Sequence, residues 1–268
     1  MTGDLLSFAH AALLETDPDA KCAAATVLVD RWRDGMVLDR TVDLRAVTDP
    51  GRPLRPTLVH PRELPRRRLG SVAGRAALIH AVAHIEFNAI NLALDAVCRF
   101  RAMPREYYGD WLQVAADEAK HFRLLTGRLA AVGCRYGDLP AHNGLWDMAL
   151  RTAHDPLHRM ALVPRVMEAR GLDVTPGMIR RFRELGDEAT VEILTVILAE
   201  EVGHVAAGTR WFRYLCEQRG LDPENTYFRL LAEYLGDDIR CPLHLDARRE
   251  AGFTDHELER LREICARS

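Results

Sequence analysis

The sequence lacks several features by which whole classes of protein are recognised. No apolar run approaches the roughly 20 residues that a transmembrane helix needs. The first eight residues, Met1 to Phe8, have neither the basic start nor the cleavage pattern of a signal peptide. No Cys-x-x-Cys pair occurs, which argues against a zinc ribbon or a rubredoxin-like iron centre. We therefore expect a cytoplasmic protein with reduced thiols and no membrane partner.

The sequence also has little net charge and few patterns typical of β-strands. The net charge of −3 over 268 residues gives no general reason to expect a nucleic acid or a membrane surface as partner. Alternating apolar and polar residues, the signal of a half-buried strand, are essentially absent. Apolar residues instead recur at steps of three and four, and this spacing predicts an all-α protein.

Proline, glycine and capping residues divide the chain into four predicted parts. These are an N-terminal helical extension (1–47, with helices over 4–15 and 18–34), a Pro/Arg-rich connector (48–70), a four-helix bundle (71–220) and a C-terminal extension of two helices (221–268). The bundle helices are expected over 71–100, 104–132, 155–185 and 187–219, with a short helix in the 134–154 connection. Pro164 should kink the third helix, Gly171 should end it, and Thr175-Pro176 should restart it.

Two copies of Glu-x-x-His are the most informative feature that is present. They are Glu118 to His121 and Glu201 to His204. Glu86 lies 32 positions before Glu118, and Glu168 lies 33 positions before Glu201. Glu, Glu-x-x-His, Glu, Glu-x-x-His is the ligand order of a dinuclear metal site inside a four-helix bundle.

The spacing has a mechanical basis. Residues i and i+3 lie on one face of a helix, and the apolar residues around these motifs lie on the same face. Buried carboxylates without partners are costly, and two divalent cations would remove that cost. Mixed glutamate and histidine ligands suit iron, manganese or zinc better than calcium or magnesium.

The alternative is that these are solvated side chains on charged helices. We predict two iron ions, or an iron–manganese or other divalent pair, held by Glu86, Glu118, His121, Glu168, Glu201 and His204.

Longer stretches of sequence carry a resemblance to a known family. The stretches are Gly74–Glu86, Val114–Phe122, Tyr136–His142, Met167–Pro176 and Glu201–Val205. Together they resemble an uncharacterised bacterial family of ferritin-like proteins, a domain of unknown function, over roughly residues 45–230. The resemblance implies the ferritin-like fold and a metal site at the six predicted ligands. A more distant likeness, through the ligand order, is to the di-iron tRNA hydroxylase that oxidises a prenylated adenosine.

Two further groups of polar residues have competing interpretations. Five polar residues on the first bundle helix could form a second site or a docking face, or could face solvent or bond to the N-terminal helices: His80, His84, Asn88, Asn91 and Asp95. The segment 52–75 holds seven arginines against one glutamate. It could bind a phosphate or an RNA backbone, or its arginines could pair with acidic helix surfaces.

The site favours an oxygen-dependent di-iron oxidoreductase, a hydroxylase or oxidase acting on a small molecule with an external electron donor. A tRNA substrate is the less favoured alternative. A ferroxidase-like iron protein and a non-catalytic helical interaction protein are the competing functions. An enzyme of this kind should have a cavity near Glu86, Glu118 and Glu168, walled by the 48–70 connector or the 134–154 connection. Arg66 to Arg68 would then face an anionic substrate. The sequence assigns no catalytic residue, substrate identity or oligomeric state.

Overall fold

The computed structural model describes residues 3–64, 69–236 and 239–267, with the backbone alone at Arg267. Contacts cluster in two units, of which the first ends at Leu150 and the second begins at Arg151. The first unit contains α1 (Leu5–Leu14), α2 (Pro18–Arg33), α3 (Val72–Arg99), α4 (Arg105–Ala131) and α5 (Gly144–Arg151), whose last residue is the first of the second unit. The second unit contains α6 (Pro156–Leu162), a π-helical turn (Val163–Glu168), α7 (Ala169–Glu184), α8 (Glu188–Gln218), α9 (Pro223–Leu235), α10 (Leu245–Glu250) and α11 (Asp255–Arg267).

The prediction of an all-α protein is confirmed. Among the described residues, the β-type pairing is one isolated parallel bridge between Leu58 and Ala141. Most helices begin where a capping side chain accepts a hydrogen bond from the first turn. Asp4, Asp17, Ser71, Asp155 and Asp187 do this for α1, α2, α3, α6 and α8.

Helix α3 is the core of the first unit. It packs along α4 and also contacts α1 and α2, while α2 packs on α4. Within the described residues, α3 alone is long and apolar enough to cross a membrane. Of its most apolar stretch of 18 residues, 78% is buried inside the protein. That burial is the pattern of a core helix.

The polar residues of α3 are not on a solvent-facing stripe, so that expectation is wrong. His80, His84, Asn88, Asn91 and Asp95 are all buried. The alternative, a hydrogen bond to the N-terminal helices, is right for Asn91. Its Oδ1 accepts a hydrogen bond from Lys21 of α2. His84 bonds instead to the 134–154 connection, because α3 is covered on that side as well.

Lys21 joins three parts of the first unit. It is fully buried, and its ammonium group also donates to the carbonyl oxygens of Leu13 at 3.0 Å and Gly51 at 2.8 Å. The end of α1, the connector and α3 are therefore tied to one side chain. Burial, followed by the nearby charge of Arg52, lowers the pKa of Lys21 to about 7.

Helix α8 is the core of the second unit, where it contacts α6, the π turn, α7, α9 and α10. The predicted break after Glu168 is wrong. Helix α7 runs without interruption from Ala169 to Glu184, through Gly171 and Pro176. Gly171 does not adopt the positive φ of a C-terminal cap. Burial of Leu172, Thr175 and Phe182 offsets the hydrogen bond that Pro176 cannot make.

The C-terminal extension differs from its prediction in two ways. Its described residues form three helices, α9 to α11, instead of two, because the six-residue α10 gives too short a pattern to recognise. Cys241 and Cys265 form a disulfide with Cα atoms 5.9 Å apart, so the expectation of reduced thiols is wrong for this pair. Their separation of 24 residues leaves no local sequence signal. Cys22, Cys98, Cys134 and Cys216 are free thiols.

Replacing Lys21 by methionine keeps an unbranched side chain but removes the hydrogen-bond donor. We expect the free energy of unfolding to fall by about 2–4 kcal/mol, because three buried acceptors lose their donor. Urea unfolding monitored by circular dichroism measures this change. Lys120→Met is the matched control, since Lys120 is half-exposed and should cost less than about 0.5 kcal/mol.

The dependence of this effect on pH gives a second check. The unfolded chain keeps a lysine pKa near 10.5, whereas that of folded Lys21 is about 7. The unfolded chain binds more protons between these values, so wild-type stability should rise with pH relative to Lys21→Met. A difference in stability between the two proteins that stays flat from pH 7 to 10 would contradict this placement of Lys21.

Candidate metal centre

The first unit brings three predicted ligands together. Glu86 comes from α3, and Glu118 and His121 come from successive turns of α4. Each of the three offers a ligand atom within 4.8 Å of the others. His121 Nδ1 lies 3.2 Å from Glu86 Oε2 and 3.3 Å from Glu118 Oε2. All three side chains are buried, so the alternative of solvated surface residues is wrong here.

The local sequence of α4 explains this burial. Trp111, Val114 and Leu125 share the helical face of Glu118 and His121, and all three are buried. The opposite face carries exposed charges such as Lys120. The hydrophobic stripe therefore carries the two polar side chains into the core.

The pKa values reflect two carboxylates held deep in the protein. Burial, followed by the charge of Glu118, raises the pKa of Glu86 to about 8. Burial lowers the pKa of His121, but hydrogen bonds with Glu118 and Glu86 outweigh it and raise that pKa to about 11. Burial thus disfavours the charged form of Glu86, and a cation beside these carboxylates would favour it.

The second unit repeats part of this arrangement. Glu201 and His204 lie one turn apart on α8, with His204 Nδ1 3.8 Å from Glu201 Oε2. Both are buried, on the stripe that includes Ile197 and Trp211. Glu168 is also buried, and it is the last residue of the π turn. That all six ligands converge on one pair of ions stays a prediction.

The expected kink at Pro164 takes the form of the π turn. Ala169 N–H donates to Pro164 O, five residues earlier, where an α-helix would use the residue four earlier. A π turn is common at functional sites, since the extra residue changes the direction of the side chains after it.

Gly208 makes room for this turn, a role that no local pattern indicates. It lies four residues after His204 on α8. A Cβ atom at Gly208 would overlap Cβ and Cγ of Pro164. The absence of a side chain at Gly208 thus lets the proline ring approach the helix that carries Glu201 and His204.

A separate pocket of about 70 Å³ opens on another face of α3. His84 and Asn88 line it, and its walls include Leu64 of the connector and Ala141 and His142 of the 134–154 connection. His84 is two positions from Glu86, which places it about 200° around the helix. Burial lowers the pKa of His84 to about 4, so its imidazole is neutral at pH 7. The predicted cavity beside Glu86, Glu118 and Glu168 stays a prediction.

Two arginines of the basic segment 52–75 make local contacts. Arg52 pairs with Asp49 at 3.2 Å, and Arg75 donates to Leu69 O. Arg66, Arg67 and Arg68, which were expected to face an anionic substrate, lie outside the described residues.

Most of the chain is similar in sequence to one family of proteins. Residues 14–259 match the model of a family described as "Protein of unknown function (DUF455)". The chain belongs to this family. An uncharacterized protein of Haemophilus influenzae is 42% identical over 264 residues, which cover 94% of this chain and 92% of that protein. No solved structure matches. The family match extends past the expected 45–230 into the N- and C-terminal helices.

Gly208→Ala tests the contact between α8 and the π turn. We expect the free energy of unfolding to fall by about 1–3 kcal/mol, since the added methyl group overpacks against Pro164. Gly203→Ala is the matched control on the same helix, because its Cβ would meet open space. That change should stabilise the protein by about 0.5–1 kcal/mol through helix propensity. Equal gains in thermal and urea stability for both variants would show that Pro164 does not pack there.

Proposed function

We propose that this chain is a ferritin-like non-haem di-iron protein that uses dioxygen to oxidise a small-molecule substrate. The observation that carries the proposal is the buried cluster of Glu86, Glu118 and His121. The second Glu-x-x-His pair, Glu201 and His204, is buried in the same way on α8. A Glu–Glu–His cluster and a second Glu–His pair suit a pair of divalent cations.

The donor set fits iron. Carboxylate oxygens and imidazole nitrogens are ligands that Fe²⁺, Mn²⁺ and Zn²⁺ accept, whereas Ca²⁺ and Mg²⁺ take oxygen ligands in larger number. Glu86, Glu118 and His121 would hold one ion, and Glu168, Glu201 and His204 would hold the other. Four carboxylates balance two divalent charges, which removes the cost of burying them.

The residues of the chain would bind the ions, fix the orientation of their ligands and exclude water from the site. Helical i, i+3 spacing presents each glutamate with its histidine, and burial keeps bulk water from the site. Two ferrous ions, when bound, supply the electrons for the reduction of dioxygen. Such chemistry would require an external electron donor as a partner. The pairs Glu118–His121 and Glu201–His204 keep their ligand positions on rigid helices during such a reaction.

Iron storage is the main alternative function. A storage shell needs little beyond the bundle, whereas this chain adds helices at both ends. Helices α1 and α2 pack on α3 and α4, and α9 and α10 pack on α8. Such additions favour a covered site for a substrate or a partner. A tRNA substrate is less favoured, because the chain as a whole has no basic excess and no aromatic residues are interleaved with the arginines of 52–75.

Metal content tests the site directly. Protein purified without oxygen and loaded with Fe²⁺ should hold two ions per chain by mass spectrometric metal analysis. Chelation should lower the melting temperature, because metal binding to the native state adds free energy by linkage. Glu118→Ala, His121→Ala and His204→Ala should each reduce retention, while Lys120→Ala should not. A melting temperature that chelators never change would count against a site in the core.

Reaction with dioxygen separates an enzyme from a store. Rapid mixing of the di-ferrous protein with oxygenated buffer should consume about one dioxygen per pair of ions and give a transient absorption change. A substrate found by library screening should make that transient absorption decay faster. Uptake of tens of iron ions per chain, with growth of a ferric mineral, would support storage instead.

A further inference from the structure

Arg165 lies in the middle of the π turn, three residues before Glu168. Its side chain is fully buried. A guanidinium group is expensive to bury unless the structure supplies a counter-charge and close contacts. The contacts of Arg165 therefore identify the groups that offset this cost.

One carboxylate and three aromatic rings surround Arg165. Its Nη2 donates to Glu257 Oε1 at 2.7 Å. The guanidinium carbon lies 4.8, 4.2 and 4.4 Å from the ring centres of Phe212, Tyr227 and Phe253. Cations over aromatic faces at these distances are attracted by the ring quadrupole, more strongly when water is excluded. The rings belong to α8, to α9 and to the segment before α11.

The counter-charge is itself fixed in place. Glu257 Oε2 accepts a hydrogen bond from Thr254 N–H, and Glu257 N–H donates to Thr254 Oγ1. This reciprocal pair is a capping box at the start of α11. It uses one carboxylate oxygen and leaves the other facing Arg165.

The backbone of the turn is held as well. Tyr227 Oη–H donates to Arg165 O at 3.2 Å. The hydroxyl and the ring of one α9 residue therefore contact the main chain and the side chain of Arg165.

A π turn needs such support. It contains one residue more than an α-helical turn, is rare in proteins, and here includes a proline that cannot donate. The extra residue rotates the later side chains of the helix by about 100°, so the direction of Glu168 depends on whether the turn persists.

We infer that Arg165 is a positioning residue for Glu168, and that α9 and α11 serve to hold the π turn of the candidate metal centre. The inference rests on the proposed function, since it assigns Glu168 to a metal ion. Arg165 acts through the backbone that it shares with Glu168 and does not itself bind the metal. The competing outcome is that Arg165 only adds stability.

Two variants and one matched control test this inference. Arg165→Met removes the charge and keeps an unbranched apolar side chain, while Glu257→Gln keeps the capping box and removes the counter-charge. Arg248→Met is the control. Arg248 is also a buried arginine of the second unit and lies over the same Phe253 ring, but its guanidinium donates to buried Asp173, at 2.7 Å, and not to Glu257.

The first measurement is hydrogen exchange of the metal-free proteins, detected by mass spectrometry. Peptides that cover 163–169 should exchange at least tenfold faster in Arg165→Met and faster in Glu257→Gln, and should not change in Arg248→Met. The second is anaerobic titration with Co²⁺, whose visible bands report its coordination. One of the two binding steps should weaken by about tenfold or more in Arg165→Met, the size expected for an outer partner of a ligand.

The outcomes separate the inference from the proposed function. Equal losses of melting temperature in Arg165→Met and Arg248→Met, with unchanged exchange over 163–169 and unchanged Co²⁺ binding, would overturn the positioning role. Faster exchange over 163–169 with both Co²⁺ binding steps intact would also overturn it. In that case the conformation of the turn would not affect metal binding through Glu168. A wild-type protein that binds no Co²⁺ would instead refute the proposed function, and with it the role of Glu168 as a ligand.

Discussion

Balance of buried negative charge is the constraint on which both units depend. Each buried carboxylate must meet a cation or a set of donors, or the folded state would lose several kcal/mol. Asp173 meets Arg248, Glu257 meets Arg165, and Asp95 meets Arg99. The candidate ligands differ, because Glu86 and Glu118 have a histidine beside them and Glu201 has another. An imidazolium can lose its proton and bind a metal ion through the freed nitrogen, whereas a guanidinium stays protonated and cannot. The protein thus separates acids that are neutralised permanently from acids that can accept a cation.

The π turn connects the two kinds of buried acid in the second unit. Arg165 and Glu168 are three residues apart, and one faces Glu257 while the other is a candidate ligand. Gly208 gives the turn its space against α8. Because the family match covers residues 14–259, it includes the residues that contact Arg165, although it ends within α11. The C-terminal helices are accordingly part of the region that defines the family, and their contacts bear on the candidate site.

Much of the helical structure could be predicted from sequence, because the signals are local. Asp17-Pro18, Ser71, Asp155-Pro156 and Asp187 place helix starts within a residue, and the apolar stripes predict burial of the candidate ligands. The failures have a common cause. Gly171 and Pro176 are typical of a break, but packing of α7 decides the outcome. The disulfide, the burial of His84 and the surroundings of Arg165 depend on partners far away in sequence. No local pattern reports such contacts, and the convergence of all six ligands is a contact of the same kind.

The Cys241–Cys265 bond encloses the segment that contains Glu257. A covalent loop of about 24 residues removes conformational entropy from the unfolded chain, worth about 3 kcal/mol in the chain-entropy description. Fraying of α11 from its C-terminal end is limited, since Cys265 stays tethered. The anion that faces Arg165 is therefore carried by a closed ring of chain.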